Sequence, residues 1–257
     1  MRGALHRRHS TVISELNEKE RLDINHTIHQ SFLEPNESRL IGSHLASIHA
    51  TGRRSRVLDV GTVRGLLNQG TKNPSLISLG SNVIHVKCML LEIPNYQSFI
   101  ERLAVILKQN GLMIIVEPEP TFHSAHGELP KCMRTWDTCV QNAFANRSID
   151  ISTPSRMLVA LEASGVYACP VYVSEVGIPC AGYMTGECHQ LARAGRMHST
   201  VIAANMKAIL PRLRGYGYDD NDLKRLQRGC LTEINNPSSR FYQRLFAFCA
   251  HKVTLRS

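Results

Sequence analysis

The chain has 257 residues, a formal net charge of +9 from 30 Lys and Arg against 21 Asp and Glu, and 43% hydrophobic residues. That length suits one α/β domain with an accessory lid, or two small domains, and is enough for a full core. No apolar run approaches the ~20 residues of a membrane-spanning helix, and the N-terminal MRGALHRRHS lacks the apolar stretch of a secretory signal.

The eight cysteines include no CxxC pair and several lie in apolar stretches, so reduced, mostly buried thiols in the cytoplasm are expected. Neither Cys180, Cys188 and His189 nor His123 and His126 has a complete ligand spacing, and no metal is expected. The basic residues are scattered apart from Arg53, Arg54 and Arg56, which favours a generally basic surface over a nucleic-acid interface.

In chain order, Glu15 to Gln30 reads as a polar amphipathic helix with Leu16, Ile24 and Ile28 at helical offsets. Pro35-Asn36-Glu37-Ser38 predicts a break, and Leu40 to Ala50 a second short helix ended by Thr51-Gly52. Residues 1–52 thus form a helical cover. In RVLDVGTVRG, Val57, Leu58 and Val60 suit a buried strand broken by Asp59, and a glycine-spaced turn runs from Gly61 to Gly65. Strand, acid and glycine turn are how a doubly wound sheet builds a nucleotide-shaped crevice at the carboxyl end of its first strand. A helix, a second strand and a ribose-binding acid should follow. Instead Gly70 and Pro74 interrupt the segment, Leu76 to Leu79 offers only a stub of strand, and Leu66 to Leu91 holds no Asp or Glu.

NVIHVKCML restores strand character. Phe99, Leu103, Ile106 and Leu107 then mark a helix with a left-handed stop at Asn110-Gly111, and Leu112 to Val116 is a buried strand ending in Glu117. This is a well-formed βαβ unit. A loop carrying His123 follows. Trp136, Val140 and Phe144 form a helical stripe, Ser152-Thr153-Pro154 caps a helix from Ser155 to Ser164, and VYACPVYVSEVGIP supplies a strand. Pro179-Cys180 falls at the end of that late strand, away from the crevice, so a nucleophilic role for Cys180 is not expected. Residues from about 186 to 236 read as a helical lid insertion, bent or ended near Pro211 and restarting at Asp219, Asp220 and Asp222, before a last strand from Phe246 to Val253.

VLDVGTVRG together with NVIHVKCMLLEIPNYQSFIERLAVILKQNGLMIIVEPE resembles the core of class I S-adenosylmethionine-dependent methyltransferases. RLDINH, TWDTCV, GIP and RFYQRLFAFCAHKV resemble, more narrowly, those that fungi keep among enzymes of specialised metabolism. The resemblance implies a Rossmann-like sheet, truncated here so that the second and third strands are largely missing. It divides the chain into the 1–52 cover, a shortened cofactor-binding half at 53–120, and a C-terminal half at 121–257 with the lid. It implies S-adenosyl-L-methionine as cofactor and a small organic methyl acceptor. Asp59, Gly61, Thr62 and Gly65 would line the methionine end of the cofactor, His85 and Lys87 the rim of the next strand, and Asp23 and His26 would close over it. Glu117 or His123 would serve as base.

Val63 stands where the family has glycine, and the ribose-binding acid is missing. A left-handed Val63 adds about 1–2 kcal/mol of strain, and losing a ribose-bound carboxylate costs about 1.5–3 kcal/mol. Weakened cofactor binding is therefore expected, with a catalytically inactive binding or scaffold protein as the alternative and a nucleic-acid methyltransferase as a lesser one.

Overall fold

A computed structural model describes residues 18–61, 80–183, 189–236 and 238–253, with the side chains of residues 18 and 34–36 excluded. Thr62, Val63, Gly65, the acid-free stretch up to residue 79 and the strand stub at Leu76 to Leu79 lie outside the described residues. The chain groups into two compact units. The first gathers the described residues up to Phe32 with Thr121–Ala143 and Gly177–Gln243; the second gathers Leu33–Pro120, Phe144–Val176 and the residues from Arg244 onward.

The second unit holds the sheet expected from the βαβ pattern. Strand β1 (Val57–Val60) pairs in parallel with β2 (Ser81–Lys87), and β2 with β3 (Leu107–Pro118). The helix α2 (Tyr96–Ile106) connects β2 to β3. A late strand, β6 (Phe241–His251), runs antiparallel to β3, and β5 (Tyr172–Pro179) pairs with β6. This is a mixed α/β, Rossmann-like sheet whose parallel strands are followed by an antiparallel one. Leu112 to Val116 are at most 1% exposed, which is why that run is continuously apolar rather than alternating. One face packs Val60, Ile84, Val86, Met113 and Ile115 against α2 and against α4 (Thr153–Ala163).

The helix α2 ends sooner than predicted. Leu107, 1% exposed, turns into extended backbone and enters β3. Asn110 is left-handed, at φ 59°, but inside a bulge, where the register jumps from Ser81↔Leu107 to Val83↔Leu112. The Nζ of Lys252 supplies the missing stop, donating to the carbonyls of Ala104 and Leu107 at 2.7 and 2.8 Å. A cation there satisfies orphan carbonyls and opposes the negative end of the helix dipole.

The N-terminal cover is one helix, α1 (Glu18–His49), rather than two. Pro35 cannot donate to the Ser31 carbonyl four residues back, a loss that usually breaks a helix. Within the first unit, the Gln190 side-chain amide donates to that same carbonyl at 3.0 Å and repairs the loss. The helix stops as predicted, with Gly52 at φ 71° donating back to His49.

Among its described residues the first unit also holds the end of β5, the start of β6 and β4 (His123–Ser124), which pairs with Tyr242 and Phe241. Its helices are α3 (Lys131–Ala145), α5 (His189–Arg214) and α6 (Asp220–Ile234). The stripe of Trp136, Val140 and Phe144 is buried, as a packing role requires. The helix α5 runs through Pro211 to Arg214, and Asp219 caps α6 by accepting from the N–H groups of Asn221 and Asp222. Ser152 does not cap α4; its hydroxyl donates to Asp150 instead. The last strand begins at Phe241, five residues before the predicted Phe246, because Cys180 donates to the Phe241 carbonyl and extends the pairing.

Candidate functional site at the carboxyl edge of the parallel strands

Register places Asp59 of β1 directly beside His85 of β2. Aligned residues of a parallel pair share a face, so the two side chains meet, and His85 Nδ1 lies 3.2 Å from Asp59 Oδ1. A carboxylate at Nδ1 fixes the proton there and leaves Nε2 as an acceptor. That Nε2 is buried and makes no hydrogen bond. Lys87, on the same face two residues on, is 9% exposed.

Just beyond Asp59, Gly61 has φ +117°, and a Cβ there would sit 2.0 Å from the Lys87 carbonyl oxygen. Only glycine fits. Contact with the neighbouring strand's own backbone thus accounts for this glycine. The same virtual Cβ would lie 3.2 Å from the Met89 side chain, so Gly61 lies beside the turn after β2.

Glu117, at the end of β3, organises that second turn. It is 0% exposed, and it accepts from Met89 N–H at 2.8 Å, Leu90 N–H at 3.2 Å and the Tyr96 hydroxyl at 2.6 Å. Cys88, left-handed at φ 55°, begins the turn and donates to the Val116 carbonyl. Burial raises Glu117 to about 7 against the opposing pull of its three hydrogen bonds, and burial with the neighbouring carboxylate pushes Tyr96 well above its ordinary value. Val116 aligns with Lys87, so Glu117 points to the opposite face from Asp59, His85 and Lys87. It sits on the α2 side, with its register partner Phe246 in the apolar cluster.

The structure therefore gathers Asp59, Gly61, His85, Lys87 and Glu117 at one edge of one unit, with Glu117 on the other face. Asp23, His26 and His123 belong to the first unit. Asp23 and His26 lie on α1, where the Asp23 carbonyl accepts from the Thr27 hydroxyl. His123 stacks on Tyr242 at 5.4 Å between ring centroids. Cys180 is fully buried with its thiol pushed well up by burial, which makes it a poor nucleophile. Tyr96 and the amides of Met89 and Leu90 have no sequence signal: a tyrosine in the first turn of an apolar helix looks like any core aromatic.

No protein-family model matches the chain, and no curated protein matches its sequence. Solved structures that resemble it include proteins named as methyltransferases or crystallised with S-adenosylhomocysteine. One is phosphoethanolamine N-methyltransferase 2 of Haemonchus contortus in complex with S-adenosyl-L-methionine, at 12% identity and TM-score 0.32, over 68% of this chain and 34% of that one. Another is a provisionally named sarcosine dimethylglycine methyltransferase of Galdieria sulphuraria, at 10% identity and TM-score 0.38, over 94% and 92% of the two chains. A third is the mycolic acid cyclopropane synthase CmaA1 with S-adenosylhomocysteine, at 12% identity and TM-score 0.37, over 90% and 95%. At such identities and scores these likenesses carry no argument about residues or chemistry, and the fold rests on strand order and direction.

Proposed function

We propose that this chain is an S-adenosylmethionine-dependent methyltransferase with a shortened cofactor-binding half, acting in the cytoplasm on a small organic acceptor of the specialised-metabolite class. The observation that carries the reading is the Asp59–His85 pair beside the Gly61 turn, at the carboxyl edge of parallel strands, where open α/β sheets bind their ligands. The orphaned His85 Nε2 fits the proposed cofactor, since a buried acceptor without a donor is costly and the methionine end carries an ammonium group. The resemblance of VLDVGTVRG and its companion segments supports the cofactor, and that of RLDINH and TWDTCV supports the acceptor class.

When bound, S-adenosylmethionine supplies a methyl group on a sulfonium, which needs only in-line approach of a nucleophile. Asp59 holds the His85 ring in one tautomer and orientation. Lys87 contributes positive charge beside them. Isothermal titration with S-adenosylmethionine tests the reading: saturable heat in the wild type and its loss in Asp59→Asn are the expected results.

A second reading is a binding or scaffold protein that keeps the sheet without the chemistry, favoured by Val63 and the acid-free stretch from Leu66 to Leu91. No heat at millimolar S-adenosylmethionine would leave that reading in place of the first.

A further inference from the structure

We propose that Glu117 and Tyr96 are positioning residues: from the face opposite Asp59 and His85, they clamp the 88–90 turn against Gly61 and so set the affinity of the cofactor edge. The inference rests on the methyltransferase reading for its ligand, and its structural half stands without it.

The Glu117 carboxylate is committed on both oxygens. Oε1 takes the Tyr96 hydroxyl and Met89 N–H, and Oε2 takes Leu90 N–H. With three hydrogen bonds accepted and the side chain 0% exposed, the carboxylate is enclosed away from any methyl acceptor, which separates it from the role of base. What it holds is informative. Met89 is 6% exposed, and its Cγ would lie 3.2 Å from a Cβ at Gly61, while Lys87 O closes the same space. Glu117 thus ties Tyr96 to the Met89 and Leu90 amides, and the Met89 side chain with the Lys87 carbonyl closes the space where a Cβ of Gly61 would lie. The left-handed Cys88 needs such a hold, because that conformation costs a non-glycine residue about 1–2 kcal/mol.

Single-residue amide exchange by NMR, run beside calorimetry on the full chain, tests this. In Tyr96→Phe and Glu117→Gln, protection at Met89 and Leu90 should fall about tenfold while β6 amides stay protected, and the Kd for S-adenosylmethionine should rise about tenfold, roughly 1.4 kcal/mol. Unchanged protection in both variants overturns the clamp. Lost protection with unchanged affinity overturns its link to the ligand. If the wild type itself gives no heat, the methyltransferase reading fails and the exchange arm alone decides the clamp.

Discussion

At Gly61 two independent constraints coincide, a φ of +117° and a carbonyl 2.0 Å from any Cβ. Gly61→Ala should therefore cost at least about 2 kcal/mol, read as a lowered urea midpoint with an unchanged m-value. Asp59 and His85 behave differently, because their pairing matters most once a ligand is present. His85→Gln should leave the melting temperature within a few degrees and weaken S-adenosylmethionine about tenfold by calorimetry, the worth of one good hydrogen bond to a charged group. A large stability loss with affinity intact would make the pair structural instead.

One helix here ends where a distant side chain stops it, while others are bounded by their own sequence. The carboxyl end of α2 is held by Lys252, from the strand end 145 residues away. Lys252→Met removes two charge-assisted bonds to Ala104 and Leu107 and should destabilise the protein by about 1–3 kcal/mol, measured by thermal unfolding; a loss that fades in high salt would mark it as a surface charge effect. The start of α6 is local by contrast. Asp219 accepts from two N–H groups, and Asp219→Ala should cost about 1 kcal/mol. In α1 the Gln190 amide takes over the carbonyl that Pro35 leaves empty, so a helix continues where its own residues predict a break.

Across the whole molecule, two buried titratable groups give opposite pH dependence. Glu117, in the second unit, is raised by burial from 4.5 to about 7. The folded chain holds a proton that the unfolded chain has released, so this contribution is full below 4.5 and is lost as pH rises through 7. His198, in the first unit, is buried with Nδ1 on the Pro179 carbonyl, and burial lowers it to about 4 from 6.5. Its contribution is full above 6.5 and is lost as pH falls through 4. Between pH 4.5 and 6.5, acidification should therefore strengthen the second unit and weaken the first, each by an amount on the order of 3 kcal/mol. Residue-resolved hydrogen exchange at several pH values checks this, with Glu117→Gln flattening only the second-unit trend and His198→Gln only the first.

The sequence by itself determined the long strands and most of the helices, though not β4 or the continuity of α1, because buried parallel strands demand continuous apolar runs and amphipathic helices a 3.6-residue stripe. Those patterns are local, and Leu112 to Val116 and Trp136-Val140-Phe144 show them plainly. It also singled out Asp59 and Gly61, since an acid followed by glycine at a strand end is uncommon. Only the tertiary structure decided what these residues face. Register put His85 beside Asp59, and the alternation of β3 turned Glu117 to the other side, toward Tyr96 and two backbone amides. A one-residue shift along a strand reverses its faces, and no count of residues along the chain fixes that shift; packing of the apolar face does.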